Sequence, residues 1–347
     1  MKIKLLIIYK NILLFAMKLS KFKRLFYAGV LFLTACQSVD YQQKSPYSTK
    51  VQQEVLFGTQ AHQGHLVEAE AKQNKPVIAY VLGSGGARGY AHIGVLQVLE
   101  KNGIFPDFIV GTSAGSMVGA LYAYHQNVDA VQQVANSLEV SDVRDFSINL
   151  QGFFDGKKVE EFVNKQVQHT NLEKLHTPMY VVATRLDNGE KVVFNQGNTG
   201  QAVRASVSIP MMFNPVKIGS YEYVDGGLAS PVPVKVAKEL GADMVIAVNI
   251  LAQPYYTKTD NLWGLFNQNI NIMQNHMAKE ELSYADIVIQ PDIREKAHIF
   301  DVKGRDKTIL AGQQAAQAKV AEIQQKIAQL KQEYEQKQLN DTPQSEP

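Results

Sequence analysis

Short unbroken apolar runs alternate along the chain with segments whose apolar residues recur every three or four positions, and the alternation begins at Pro76. Pro76 to Leu82 is a continuous apolar run closed by Gly83, the pattern of a strand buried on both faces. From Tyr90 to Lys101, Ile93, Leu96 and Leu99 stand three apart with Val95 and Val98 beside them, and Asn102-Gly103 supplies a helix stop. Asp107 to Val110 predicts a second strand and Ser113 to Tyr124 a second helix, rich in small residues. Further strands are predicted at Met179 to Thr184, Lys191 to Phe194, Tyr221 to Val224 and Met244 to Asn249, with a helix from Val234 to Leu240 ended by Gly241. A βαβα order makes neighbouring strands parallel through right-handed crossovers. The expected class is therefore α/β, with both glycine-rich turns, after Leu82 and after Val110, at the carboxyl edge of one sheet, where open α/β folds bind ligands.

The two ends of the chain read differently. Residues 37 to 75 are polar, Gln-rich and aperiodic, a linker in composition. Val320, Ile323, Ile327, Leu330 and Tyr334 repeat three, four, three, four and predict an amphipathic helix. With about two heptads it argues for a helix that packs on its own domain or protrudes, rather than for a coiled coil. Asn340 to Pro347 reads as a tail. The expected organisation is a signal segment at 1–35, an anchor and linker at 36–75, a catalytic domain at 76–250, its extension at 251–315, and the helix with its tail at 316–347.

Charge changes the picture at the amino end. The formal net charge is +2, but residues 1–35 hold seven cations and no acid, and the remainder carries 28 basic against 33 acidic residues. That balance gives no electrostatic case for a nucleic-acid partner. Lys18, Lys21, Lys23 and Arg24 precede the apolar run Leu25 to Leu33, which ends in Leu33-Thr34-Ala35-Cys36, the layout of a secretory signal too short to span a bilayer. Ile3 to Ala16 is also apolar but interrupted by Lys10, and a start at Met17 leaves a signal of more usual length. Cys36 is the only cysteine, so neither an intrachain disulfide nor a cysteine metal cluster is available.

Three segments carry candidate chemistry. Gly111-Thr112-Ser113-Ala114-Gly115 has the form G-x-S-x-G, with a strand before it and a helix after, which places the serine hydroxyl on a sharp turn. Gly83 to Gly89 holds too many glycines for a simple turn and ends at a helix start, where free N–H groups favour an anion. It fits neither nucleotide-phosphate motif. We expect the N–H groups of Gly85 and Gly86 to be the oxyanion donors and Arg88 to orient the loop or meet an anionic headgroup. Asp225-Gly226-Gly227 supplies a carboxylate to activate the serine. His276 and His298 follow Asp225 in the order Ser, Asp, His and keep a three-residue triad open. Met211-Met212-Phe213, Phe153-Phe154 and Trp263-Gly264-Leu265-Phe266 are candidates for an acyl-chain groove, with core packing the plainer role for most of them. Asp142, Asp145, Asp155 and Asp187 have no metal-ligand spacing and read as caps and turns, so neither metal nor cofactor is called for.

Gly83 to Gly89, Gly111 to Gly115 and Asp225 to Gly227, in this order, resemble the patatin-like phospholipase family, and Arg204 to Pro210 and Asp225 to Pro233 look like that family's usual surroundings. The resemblance runs from about residue 77 to about 250 and, more weakly, to about 315. It implies a three-layer sandwich with a mostly parallel central sheet and helices on both faces. It also implies a Ser-Asp dyad without histidine, carried by Ser113 as nucleophile and Asp225 as base, which hydrolyses carboxylic esters of phospholipids or lysophospholipids. The wider set Gly85, Gly86, Ala87 and Arg88 is the oxyanion loop that the resemblance implies. Plant-type members open the loop with Asp-Gly where this chain has Gly83-Ser84. Alternatives on the same residues are a general carboxylesterase or thioesterase, or a lipid-binding envelope lipoprotein with an idle site. Leu33 to Cys36 resembles the bacterial lipobox, which implies lipidation at Cys36, a membrane-anchored protein and, with Gln37 rather than Asp next, the outer membrane. Palmitate incorporation into the wild type but not into Cys36→Ala is the expected outcome of metabolic labelling, and equal incorporation into both would remove the anchor.

Overall fold

The computed structural model describes residues 75–143, 145, 152–256, 259–293 and 304–341. The signal segment, Cys36, the linker up to residue 74, His298 and the tail from residue 342 lie outside the described residues.

The chain alternates strand and helix. In order the strands are β1 (Ile78–Leu82), β2 (Phe108–Thr112), β3 (Gly152–Phe154), β4 (Met179–Arg185), β5 (Lys191–Phe194), β6 (Met211–Phe213), β7 (Val216–Ile218), β8 (Tyr221–Asp225), β9 (Met244–Val248) and β10 (Ile287–Ile289). The helices are α1 (Tyr90–Lys101), α2 (Ala114–His125), α3 (Val128–Ser137), α4 (Lys157–Gln166), α5 (Thr199–Ser206), α6 (Val234–Glu239), α7 (Leu262–Leu282), α8 (Arg305–Gln317) and α9 (Val320–Asp341). β3 and β6 form a separate two-stranded piece.

The central sheet runs β10-β9-β1-β2-β4-β8-β7, parallel from β10 to β4 and antiparallel beyond it. Its inner strands β9, β1 and β2 are almost wholly buried, largely apolar runs because both faces are covered. Alternate residues point to opposite layers. Tyr80, Leu82 and Ile109 join a core with Leu96 of α1, Leu121 of α2, Val131 of α3 and Val203 of α5. Ala79, Val81 and Val110 join a second core with Val236 of α6 and Ala278 of α7. The result is the expected α/β three-layer sandwich.

The register around β4 decides where the site forms. β5 lies antiparallel along one edge, pairing with Val181 to Thr184. The other edge is shared: β2 pairs with Met179 to Val182, and β8, running the opposite way, pairs with Ala183 to Arg185. The carboxyl ends of β2 and β8 therefore meet, with Thr112 opposite Val182 and Asp225 opposite Ala183. The chain leaving β8 passes so close to β4 that a Cβ at Gly226 would lie 2.2 Å from the Val182 carbonyl oxygen. Only glycine permits that approach.

The carboxyl-terminal segments belong to the same structure. β10 pairs with β9, so the sheet continues past residue 250. α8 crosses α1 backbone to backbone: a Cβ at Gly94 would lie 1.9 Å from the Ile309 carbonyl oxygen, and one at Gly312 would lie 2.1 Å from that of Ala91. In α9, Val320 and Ile323 are buried, Ile327 and Leu330 pack on the core, and the Tyr334 hydroxyl donates to Asp243 at 2.7 Å. The three-four repeat thus faces its own domain.

Candidate active site

Ser113 sits between β2 and α2 with φ 53° and ψ −121°, a conformation that costs a non-glycine residue on the order of 1 kcal/mol or more. The surroundings enforce it. A Cβ at Gly115 would lie 2.0 Å from the Leu82 carbonyl oxygen, and one at Gly111 would lie 2.7 Å from that of Gly115. The Ser113 N–H donates to the Ser206 hydroxyl at 2.8 Å, which in turn donates to the Val182 carbonyl at 2.6 Å. On the other side, the Ser113 carbonyl accepts from the Ser116 N–H at 2.9 Å and from its hydroxyl at 2.7 Å. The turn is held from both ends.

Asp225 ends β8. Its N–H donates to the Ser208 carbonyl at 2.9 Å, and its own carbonyl accepts from the Thr184 hydroxyl at 2.8 Å. Its carboxylate accepts from the Gly227 N–H at 2.7 Å through Oδ1 and from the Ser113 hydroxyl at 2.6 Å through Oδ2. Ser113 and Asp225 are 2% and 3% exposed, which concentrates their interaction in a medium of low dielectric. Burial pushes the Asp225 carboxyl up to about 6, while the hydrogen bonds from Ser113 and Gly227 pull the other way. No histidine among the described residues hydrogen-bonds either group: His276 is exposed on α7, and His92 is engaged elsewhere.

The glycine loop is pinned at three places. Gly83 N–H donates to the Val248 carbonyl at 3.1 Å, Ser84 N–H to that of Pro231 at 2.8 Å, and Arg88 Nε to that of Ile250 at 2.8 Å. His92, fully buried in α1, closes the base of the loop through Nε2 and the Gly83 carbonyl at 2.9 Å. Burial lowers His92 to about 4, so the ring is neutral near pH 7 and donates its Nε2–H to that carbonyl. Among the described residues the N–H groups of Gly85, Gly86 and Ala87 have no partner. One expected member of the hole is already engaged. The Arg88 N–H donates to the Gly85 carbonyl at 3.2 Å, so it is already used, and its side chain ties the loop to Ile250. Gly85 packs against Ile250, whose side chain a Cβ would meet at 2.6 Å. Its N–H has no partner, and neither do those of Gly86 and Ala87, which lie on the wall of the cavity that reaches Ser113.

That cavity, of about 1040 Å³ including its solvent-open part, is lined chiefly by aliphatic side chains of α1, α2 and α3. Phe213 touches it, but the other expected groove residues do not. Met211 and Phe153 are exposed, while Phe154 and Met212 close a small core with Val159 and Phe213. Trp263 to Phe266 open α7, which packs on the opposite face of the sheet. The four aspartates are structural: Asp142 accepts from the Glu139 N–H, Asp145 from that of Gly156, Asp155 pairs with Arg204, and Asp187 with Arg185. Among the described residues no cluster of three His, Cys, Asp or Glu side chains could hold a metal ion.

His92 and Ser206 were not singled out as site residues by the sequence. Ser206 falls in the Arg204 to Pro210 segment, whose pattern does not distinguish it from its neighbours, and His92 carries no motif signal because its partner is a carbonyl nine residues earlier.

Residues 80–238 match the sequence profile of the patatin-like phospholipase family. An uncharacterized NTE family protein of Mycobacterium tuberculosis is 36% identical over 180 residues, which cover 51% of this chain and 50% of that protein. Patatin-like phospholipase domain-containing protein 6 of Homo sapiens is 32% identical over 232 residues, 63% of this chain and 16% of that protein. Lysophospholipase NTE1 of Debaryomyces hansenii is 29% identical over 221 residues, 60% of this chain and 14% of that protein. The chain spans half or less of the length of these relatives. Residues 80–238 form a patatin-like phospholipase domain.

The raised Asp225 value has a consequence for stability. A carboxyl whose folded pKa rises from 3.8 to about 6 favours the fold most below the lower value, and that advantage is lost as pH climbs through about 6. Above it, the buried charge costs on the order of 3 kcal/mol. Asp225→Asn keeps an oxygen for the Gly227 N–H and removes the charge. Its Tm is expected to exceed that of the wild type at about pH 8, with the gap shrinking toward about pH 4. A variant no more stable than the wild type at the higher pH would contradict the assignment of buried charge.

Proposed function

We propose that this protein is a serine-dependent lipid acyl hydrolase that cleaves carboxylic esters of phospholipids or lysophospholipids. The observation that carries the reading is the 2.6 Å bond from the Ser113 hydroxyl to Asp225, at the end of an apolar cavity and beside unpartnered loop N–H groups. In this mechanism the Asp225 carboxylate takes the hydroxyl proton as Ser113 Oγ attacks the ester carbonyl carbon. Gly86 and Ala87 donate to the oxyanion, and the turn geometry holds Oγ in line. Collapse of the tetrahedral species breaks the ester C–O bond, and the proton on Asp225 passes to the departing alcohol. Water, deprotonated by the same carboxylate, then attacks the acyl-enzyme and releases the fatty acid and Ser113.

Burial fits Asp225 to this task. A base near 6 stays ionised at neutral pH yet holds a proton better than a free carboxylate, which lets it work without an intervening imidazole. The aliphatic cavity favours a lipid acyl group over the small esters or thioesters that the same pair could cleave. The name of the yeast relative, a lysophospholipase, agrees with that choice. Lipidation of Cys36 would hold such a site beside its substrate and raise its local concentration.

Hydrolysis of a mixed phospholipid panel, with released fatty acids and lysolipids identified, tests the reading. Ser113→Ala is expected to lose turnover by a factor on the order of 10⁶, while His276→Ala keeps most of it. The wild-type kcat/KM should fall about tenfold per pH unit below about 6, because protonated Asp225 cannot take the serine proton. Near-complete loss in His276→Ala would reinstate the triad, and full activity in Ser113→Ala would end the proposal.

A further inference from the structure

The cavity has a direction and an end. α2 runs away from Ser113 and presents Met117, Val118 and Leu121 to it, at the spacing of one helix face. After the short turn at Gln126 and Asn127, α3 returns along the same cavity with Val131 and Val134, then reaches Leu138 and Glu139 just past its end. The serine end of this hairpin carries the exposed Glu139, whereas toward the turn the lining consists of Leu121, 4% exposed, and the fully buried Val131. Ile93 of α1, also buried, lines the same cavity. An acyl chain bound by its ester at Ser113 and laid along this face of α2 meets Leu121 and Val131 before the turn.

The helix supplies the scale. Leu121 lies eight positions beyond Ser113, about 12 Å along the axis at about 1.5 Å per residue. Long helical side chains lean back toward the amino end, so that length is an upper bound. With C–C bonds of about 1.5 Å, an extended acyl chain advances about 1.25 Å per carbon, and about ten carbons fill the distance.

We propose that Leu121 and Val131 form the floor of a measured acyl pocket, so that the preference for longer acyl groups grows up to about ten carbons and no further. The proposal rests on the acyl-hydrolase reading and specifies its substrate class. Within the pocket each further methylene removes apolar surface from water, worth about three- to fourfold in kcat/KM, and beyond the floor that gain ceases.

The test is kcat/KM of the full chain on p-nitrophenyl esters from butyrate to palmitate. The expected profile climbs to about decanoate and then stops climbing. Leu121→Trp and Val131→Phe should each lower the decanoate-to-butyrate ratio by about tenfold or more, and Leu121→Ala should move the break to longer chains. The ratio is unaffected by how much of a variant folds. A wild-type gain that continues undiminished to palmitate, or a ratio that the floor variants leave within about twofold, would overturn the pocket floor. If the wild type cleaves no ester, the acyl-hydrolase reading fails instead. The floor is then read from calorimetric binding of saturated fatty acids of increasing length to Ser113→Ala, where a break in affinity near the same length supports it and a smooth series overturns it.

Discussion

The site depends on two strands sharing one edge of a third. β2 and β8 approach from opposite directions along β4, and their ends meet at Val182 and Ala183. This brings together Ser113 and Asp225, 112 residues apart in sequence, on rigid strand ends rather than on loops. Glycine makes the junction possible at two points: Gly226 passes over the Val182 carbonyl, and Gly115 lets α2 start against the end of β1. A methyl group at either position would collide with main-chain atoms, and neither collision can be relieved by turning a side chain.

Two costs accompany this arrangement. Ser113 is held in a backbone conformation that side-chain-bearing residues avoid, and Asp225 keeps a carboxylate away from water. The fold offsets them with hydrogen bonds that reach the site from several elements: Ser206 from α5, Thr184 from β4, and Gly227 from the turn after β8. The loop above the serine is treated alike. Its base is closed by His92 and its far side is tied by Arg88, while the Gly85, Gly86 and Ala87 N–H groups between them have no partner. A site built this way is organised before substrate arrives, the condition under which fixed dipoles stabilise a developing charge most effectively.

Much of this was legible in the chain, and the boundary has physical causes. β1, α1, β2 and α2 announce themselves because buried parallel strands are continuous apolar runs and each ends at a glycine. α5 escaped notice because its residues are small: Gly200 packs where a Cβ would lie 2.3 Å from the Glu160 carbonyl oxygen, and such composition reads as loop. The long α7 is rich in Asn and Gln and has no clean apolar stripe. Candidate groove residues were sought among Met and aromatic side chains, whereas the cavity wall is mostly Val, Leu, Ile and Ala from helices that also build the core. Sequence cannot separate those two uses of the same residues, because the difference is an empty volume rather than a pattern. Ser113 and Asp225 could be named from motifs, but their contact follows from strand order, which no local signal encodes.

A crystal structure of the protein after reaction with a fluorophosphonate tests the central claim most directly. The account predicts phosphorus bonded to Ser113 Oγ, with a phosphoryl oxygen within hydrogen-bond reach of the Gly86 and Ala87 N–H groups and the alkyl chain between α2 and α3. An adduct on another residue, or an oxygen turned away from the glycine loop with Asp225 no longer beside Oγ, would contradict it.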